Sequence, residues 1–214
     1  MLELFTSQGC SSCPKADELA MELARDKDVL VLTFPVDYWD YLGWKDTLGS
    51  SANSARQRAY ANVRGDRKVF TPQMVVNGRA SAIGSDRAAI LNAVRDTSGD
   101  RELLSVPVSI SEADGKIEVE LAGSKDCESE VWLIAVTSER SVRIEGGENK
   151  DRTVNYTNVV RRMTRLGAWT GKAAHFTVSR ADAVPGDADR YFVLVQKGSG
   201  SMPGTILGVH LASR

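Results

Sequence analysis

Two cysteines spaced for redox chemistry lie near the start of the chain. Cys10 and Cys13 are separated by Ser11 and Ser12, and Pro14 follows the second cysteine. A thiolate attacks a disulfide bond, and a second thiol three residues away can resolve the resulting mixed disulfide. The pattern therefore indicates thiol–disulfide exchange, with Cys10 as the exposed attacking thiol and Cys13 as the resolving thiol.

The pair is predicted to lie on a turn between a strand and a helix. Residues 2–5 are rich in strand formers, and apolar residues after Pro14 recur at helical spacing. The first turn of a helix presents unpaired N–H groups and the positive end of the helix dipole, both of which favour a thiolate. We therefore expect Cys10 to be an acidic thiol.

Other roles for the pair stay open. Zinc usually takes four ligands, and the remaining candidates, Cys127, His175 and His210, stand far away and in no paired motif. A soft-metal site for copper is a further alternative. A purely structural bridge is disfavoured, because so short a loop constrains the unfolded chain very little. We expect no metal and no cofactor.

The composition narrows the classes of partner. The 214 residues include 27 Lys and Arg against 28 Asp and Glu, a net charge of -1, so no positive field indicates nucleic acid or an anionic membrane. No apolar run is long enough to span a bilayer. We expect a protein or small-molecule thiol or disulfide as substrate, and the oligomeric state stays open.

The first residues of the sequence bear on the cellular compartment that we expect for this protein. Met1 leads directly into the first predicted strand, without the apolar segment of a secretion leader. Three cysteines fit either redox environment. We expect a periplasmic or secreted protein if a leader has been trimmed, and a cytoplasmic protein otherwise.

The order of elements predicts an α/β domain over residues 1–100. Residues 29–34 form a continuous apolar run, typical of a strand buried on both faces of a parallel sheet. Residues 38–66 are predicted to be a helical insertion. Asn77-Gly78 indicates a hairpin turn, and Ser85-Asp86 indicates the cap of a closing helix. The predicted order is β-α-β-α-β-β-α.

The insertion contains an aromatic loop. Trp39 and Trp44 follow the carboxyl end of a predicted strand, where ligands bind in α/β sheets. We expect these two side chains to contact a partner, and a hydrophobic lid over the sheet is an equal alternative. In the next helix, Arg56 or Tyr60 could face the thiol, although a basic helix face is usually solvated.

These elements resemble the thioredoxin superfamily in its compact glutaredoxin-like form. The resemblance depends on the cysteine motif, on Thr71-Pro72 at the start of the hairpin and on the closing helix. It implies a cis bond before Pro72, which lies against the cysteines, and a substrate backbone paired with Thr71. It also implies a buried acid beneath the pair. Glu3 is the candidate proton relay, and an outward-facing glutamate on a sheet edge is the alternative.

The chain looks more closely like the uncharacterised bacterial family DUF1223. The likeness is carried by residues 3–14, 36–40, 71–73 and 152–160, and it extends over essentially the whole chain. Members of this family resemble secreted thioredoxin-like proteins. The resemblance implies the fold, and it implies the reaction only by analogy.

From Leu103 the pattern changes to short alternating strands. About eight such runs without a convincing helix predict a β-sandwich over residues 103–214. Arg161, Arg162 and Arg165 could grip an acidic partner, although a solvated sheet face is the more common explanation. We expect this domain to dock against the first domain or to hold a client protein over Cys10.

The predicted fold class is an α/β thioredoxin-like N-terminal domain with a glutaredoxin-like core, followed by an all-β sandwich-like C-terminal domain. The leading function is a thiol-disulfide oxidoreductase with a Cys-Ser-Ser-Cys redox pair. The runner-up is a non-catalytic binding protein whose cysteine pair is structural or holds a soft metal. A peroxidase-like thiol enzyme is disfavoured because no peroxidase motif is visible.

Overall fold

The computed structural model describes residues 1–125 and 127–212, in which strands outnumber helices. The strands are β1 (Leu2–Thr6), β2 (Val31–Pro35), β3 (Gln73–Val76), β4 (Ala80–Ile83), β5 (Val108–Ala113), β6 (Lys116–Leu121), β7 (Ser129–Arg143), β8 (Thr153–Trp169), β9 (Ala174–Ser179), β10 (Arg190–Ser199) and β11 (Met202–Leu211). The α-helices are α1 (Pro14–Leu23), α2 (Ser51–Arg64), α3 (Arg87–Ser98) and α4 (Arg180–Ala183). Within this described part of the chain, no helix has the length and apolar character needed to cross a membrane.

The strands form two sheets. Eight strands make a mixed sheet in the order β11-β10-β7-β8-β2-β1-β3-β4, and three make an antiparallel sheet in the order β5-β6-β9. β1 pairs in parallel with β2 and antiparallel with β3, so it is an interior strand. The first hundred residues show the predicted order β-α-β-α-β-β-α.

The predicted fold class is nevertheless wrong. The molecule is mostly β, and β1 to β4 do not form a separate thioredoxin-like α/β sheet. Strands from the second half continue the same sheet, so the second half is not a separate β-sandwich either. Periodicity reports which face of a strand is buried, but it does not report which distant strand is its neighbour. Here Thr33 of β2 pairs with Val159 of β8, a partner far away in the sequence.

By compactness the chain divides into two units. The first comprises Met1–Gly99 with Ser138–Val159, and the second comprises Asp100–Thr137 with Val160–Arg214. Residues 138–159, which the sequence analysis places in the second domain, belong to the first unit. The division into domains at 1–100 and 103–214 stays a prediction.

The first unit has a core built around α1. Pro14 opens this helix at a position where its missing N–H leaves no bond unmade. The apolar face of α1 is buried, and each of its two leucines stabilises the fold by about 1.5–3 kcal/mol. The buried cluster consists of Leu2, Leu4, Ala16, Leu19, Ala20, Leu23, Val31, Met74, Val76 and Ile90.

Local signals at the hairpin and the closing helix are confirmed. Asn77 and Gly78 both have positive φ, at 52° and 73°, and they connect β3 with β4 as a tight antiparallel hairpin. Asp86 caps α3, because its side chain accepts a hydrogen bond of 2.9 Å from the Ala89 amide. The hairpin pairs β3 with β4, and β3 also pairs with β1.

The second unit has its own apolar core, which draws on both sheets, and two of the arginines considered in the sequence analysis form ion pairs. Arg161 Nε lies 2.7 Å from an Asp187 oxygen, and Arg165 Nε lies 2.7 Å from a Glu130 oxygen. The pairing shows that these two cations already have partners within the unit. Cys127 is a free, half-buried thiol.

Candidate redox site

The cysteine pair occupies the predicted turn between β1 and α1. Cys10 and Cys13 are joined by a disulfide, with their Cα atoms 5.4 Å apart. The Cys13 amide donates to the Cys10 carbonyl at 3.1 Å, and the Cys10 amide donates to the Ser7 carbonyl at 3.2 Å. Two successive tight turns therefore bring the sulfurs to the beginning of the helix.

The pair is more deeply buried than the sequence indicated. Cys10 is 3% exposed and Cys13 is fully buried, whereas Ser11 and Ser12 between them are exposed. The expectation of an exposed Cys10 thiol is wrong. That expectation considered only the strand, the turn and the helix, and it took no account of a loop from far along the chain that binds this turn.

The loop that binds the turn comprises residues 144–152, between β7 and β8, and we call it the clamp loop. Asn149 is buried, and its side-chain amide donates to the carbonyl of Gln8 at 2.9 Å and to that of Cys10 at 2.8 Å. The Glu148 carboxylate accepts a hydrogen bond of 3.2 Å from the Ser11 amide. The clamp loop thus binds the backbone immediately before, at and after Cys10.

Gln8 fastens a second loop to the same turn. Its backbone amide donates to Asp46 at 2.8 Å, and its side-chain oxygen accepts from the Trp44 indole N–H at 2.8 Å. The Gln8 side chain also donates to the Thr47 hydroxyl at 3.1 Å. Gln8 is buried, and these bonds satisfy a polar group that would otherwise be costly to bury.

Trp39 connects the cysteine turn with the segment before β3. Its indole N–H donates to the Thr71 hydroxyl at 2.7 Å. A Cβ added at Gly9 would lie 3.1 Å from the Trp39 Cβ, which is tighter than most Cβ contacts, so glycine suits this close approach. Trp39 and Trp44 are both half-buried and hydrogen-bonded within the unit, and their contact with a partner stays a prediction.

The Thr71–Pro72 peptide bond is cis, as the sequence resemblance implied. Pro72 belongs to the same edge of the sheet as the cysteine turn, because Gln73 pairs with Phe5 near the end of β1. Its carbonyl accepts a hydrogen bond of 2.9 Å from the Gly84 amide. The roles of Thr71 and Pro72 in substrate binding stay predictions.

Glu3 is buried on an interior strand and engaged in a network. Arg56 Nε donates to one carboxylate oxygen at 2.7 Å, and the other accepts from Arg56 Nη2 at 3.1 Å and from the Tyr60 hydroxyl at 2.6 Å. The outward-facing alternative for Glu3 is therefore wrong, and so is the expectation that Arg56 is solvated. Burial alone lowers the pKa of Arg56, but the Glu3 carboxylate outweighs it and raises that pKa above its usual range. The proton-relay role of Glu3 stays a prediction.

A second buried acid lies on α1 itself. Asp17 is 2% exposed, its amide donates to the Cys13 carbonyl at 3.0 Å, and its Oδ1 has no hydrogen-bond partner among the described residues. Burial raises the pKa of Asp17 well above its usual range, and Thr6 offsets this in part. Burial likewise raises the pKa of Asp46, although the Gln8 and Leu48 amides partly counteract it. Two carboxyl groups with raised pKa values thus lie in the part of the unit that carries the cysteine turn.

Sequence reasoning missed Gln8, Asp17 and Asn149 as members of this site. Asp17 follows Cys13 by one helical turn, so its place on the buried face of α1 was readable from the spacing of Ala16 and Ala20. Asn149 had no such signal, because it stands in a polar turn with no periodicity. Long-range polar contacts of this kind leave no local pattern.

Metal ligation was the main chemical alternative for the cysteines. Across residues 1–125 and 127–212, no group of three or more His, Cys, Asp or Glu side chains is arranged to hold a metal ion. Cys127, His175 and His210 belong to the second unit, whereas the disulfide belongs to the first. The expectation of no metal and no cofactor stays a prediction.

The fold and the site define a β-rich protein with a disulfide at a strand-to-helix turn. The chain belongs to the DUF1223 family, whose model, described as a protein of unknown function, matches residues 1–196. A crystal structure of an Agrobacterium tumefaciens protein, solved as a structural genomics target, is similar to this chain, with 32% identity and a TM-score of 0.85. The match covers 98% of this chain and 91% of that protein. No curated protein matches the chain significantly.

Proposed function

We propose that this protein catalyses thiol–disulfide exchange through Cys10 and Cys13. The observation that carries the proposal is the disulfide itself, formed across two residues at the beginning of α1. The positive end of the helix dipole at this position stabilises a thiolate, which is the reactive form of cysteine. Because the two sulfurs are close enough to form a bond, the thiolate of either cysteine can reach a mixed disulfide formed on the other.

The reaction balances with a protein or small-molecule disulfide as the oxidant. The Cys10 thiolate attacks one substrate sulfur, a Cys10–substrate disulfide forms, and the other substrate sulfur leaves as a thiolate and takes up a proton. The Cys13 thiolate then attacks the Cys10 sulfur, which forms the Cys10–Cys13 bond and releases the second substrate thiol. Two electrons pass from the pair to the substrate, and a substrate dithiol reverses every step.

Stability does not account for this disulfide. Closing a loop of four residues removes little entropy from the unfolded chain, worth about 2 kcal/mol in the chain-entropy account. The first unit already has an apolar core and the buried Glu3–Arg56 pair. A bridge that contributes so little to folding is more readily explained by its chemistry.

Features around the pair suit an extended substrate. No described residue forms a hydrogen bond with the peptide N–H or carbonyl of Thr71, so both groups are free to pair with another backbone. Tyr41 is 76% exposed and stacks on Trp39, with ring centroids 6.4 Å apart. Aromatic side chains of this kind often dominate the energy of a protein contact.

Single-cysteine variants test the proposal. Cys13→Ser, incubated with oxidised glutathione, is expected to accumulate a mixed disulfide on Cys10, because the resolving thiol is missing. Cys10→Ser is expected to react far more slowly, since Cys13 is fully buried. Mass spectrometry identifies the modified cysteine, and both variants carry Cys127→Ser to remove the third thiol.

A non-catalytic protein with a passive disulfide is the second candidate, and the burial of both cysteines favours it. In that case the intact pair resists reduction by millimolar glutathione, and neither single-cysteine variant forms a mixed disulfide. The proposal requires the opposite on both counts. It is abandoned if the native pair stays oxidised and Cys10 stays unmodified.

A further inference from the structure

We infer that Glu148 is a positioning residue that favours the disulfide form of the pair over the dithiol. The inference rests on the proposed thiol–disulfide exchange. It concerns a charged side chain that the cysteine motif does not contain, and which reaches the turn only through the clamp loop. The distance between Ser11 N and a Glu148 carboxylate oxygen is 3.2 Å.

The Ser11 amide lies in the turn that precedes α1, which begins at Pro14. Cys10 precedes it directly, and Cys10 Sγ lies 3.3 Å from the Ser12 hydroxyl. In the reduced protein, a Cys10 thiolate would draw on these same donors, because hydrogen bonds to the charged form of a group stabilise that form. In the disulfide form the Cys10 sulfur carries no charge and does not need these hydrogen-bond donors. The carboxylate therefore takes a donor that only the reduced form needs.

The charge of Glu148 acts in the same direction. A carboxylate bound to the residue after Cys10 disfavours a second negative charge on the neighbouring sulfur. A neutral disulfide does not experience this repulsion. Competition for the amide and repulsion of the thiolate both raise the free energy of the reduced state relative to the oxidised state.

Asn149 keeps the carboxylate in place. Its buried side chain fixes the clamp loop to two backbone carbonyls, and its own oxygen lies 3.4 Å from Arg152 Nη1. The Glu148 side chain is exposed and is not packed in a core, so its position depends on the neighbouring Asn149. By thermodynamic reciprocity, a loop that binds the oxidised form more tightly also makes that form harder to reduce.

The substitution Glu148→Gln tests the inference, because it keeps the shape and removes the charge. In a glutathione redox buffer at pH 7.5, we expect the ratio of dithiol to disulfide to rise about two- to fivefold over wild type, the size of an exposed charge interaction. We also expect the alkylation rate of reduced Cys10 to reach half its maximum at a lower pH. Both differences should shrink in 1 M salt, which screens the charge.

Glu145→Gln is the matched control, since Glu145 is an exposed carboxylate of the same clamp loop. It is expected to leave both the equilibrium and the alkylation profile within a factor of about 1.5 of wild type, because its charge does not touch the cysteine turn. Circular dichroism spectra confirm that both variants fold. Asn149→Ala is expected to shift the equilibrium in the same direction as Glu148→Gln.

The outcomes separate this inference from the function on which it rests. Wild-type protein that never exchanges with glutathione contradicts the proposed function. Wild-type protein that exchanges, with Glu148→Gln and Glu145→Gln behaving alike, overturns the role of Glu148 and leaves the function standing. A shift toward the disulfide in Glu148→Gln overturns it as well.

Discussion

Asp17 is a carboxyl group that is buried in the interior of the first unit. It is on the buried face of α1, near Thr6 and Asp46, and its charge raises the pKa of Tyr156 further above the value that burial already sets. A carboxylate in such surroundings loses its hydration and gains too few hydrogen bonds in return. The neutral acid is therefore the form that the fold favours.

The substitution Asp17→Asn is expected to stabilise the protein at neutral pH. The pKa of Asp17 is higher in the folded state than in the unfolded state. Its contribution to the free energy of unfolding is therefore fully present below about pH 4 and is lost as pH rises through the folded-state pKa. The variant should therefore match wild type near pH 3. At pH 7 its free energy of unfolding should exceed that of wild type by about 1–3 kcal/mol, the cost of burying an unpaired polar group.

Urea unfolding at several pH values measures this difference. Asp96→Asn is the control, since Asp96 is exposed on α3 and its removal should change stability by less than about 0.5 kcal/mol at every pH. A variant Asp17→Asn that is less stable than wild type at pH 7 contradicts the argument. The ionised form of Asp17 would then be the one that the fold needs.

At the scale of elements, Gly84 marks where α1, β1 and the residues before β3 converge. A Cβ added there would lie 2.8 Å from Leu4 Cδ1, 3.0 Å from Pro72 Cβ and 3.1 Å from Ala16 Cβ. Such distances are shorter than packed carbon atoms allow, so the three elements approach one another through the space that glycine leaves. This approach keeps Pro72 close to the helix that begins at the disulfide.

Gly84→Ala is expected to destabilise the protein by about 1–3 kcal/mol, the usual cost of overpacking a buried site. Gly99→Ala is the matched control, because no atom lies within 4 Å of a Cβ there and its φ of -75° suits any residue. The control should be neutral or slightly stabilising. Thermal unfolding of both variants checks the prediction, and equal melting temperatures would contradict it.

At the scale of the whole molecule, the disulfide contributes little to the fold. The strands of the eight-stranded sheet, the apolar cluster around α1 and the apolar cluster of the second unit are formed without Cys10 and Cys13. Stability in a chain of this size comes mainly from buried apolar area, and the loop closed by Cys10 and Cys13 is too short to add much. We therefore expect the fold to persist when the disulfide is reduced.

Reducing the disulfide with a phosphine is expected to lower the free energy of unfolding by about 2 kcal/mol. The far-UV circular dichroism spectrum should stay unchanged, since all strands and helices keep their pairing. The double variant Cys10→Ser, Cys13→Ser should behave like the reduced protein. Unfolding of the chain on reduction at 25 °C would show that the bridge is structural.

The sequence by itself determined the features that depend on near neighbours. The spacing of Cys10 and Cys13, the apolar stripe of α1 and the Asn77-Gly78 turn were readable, because each is encoded within a short stretch. The family was readable from motifs spread along the chain. The cis bond before Pro72 was implied by the resemblance to the thioredoxin superfamily, which depends on the cysteine motif, on Thr71-Pro72 and on the closing helix. Backbone sterics and helical periodicity act over a few residues, so such patterns survive in the linear chain.

Only the tertiary structure decided which distant segments meet. The pairing of β2 with β8 overturned the predicted fold class, and the clamp loop brought Glu148 and Asn149 to a cysteine turn more than a hundred residues away. Sheet pairing and buried polar contacts depend on the global free-energy minimum of the chain, and no single stretch of sequence contains the information that selects it.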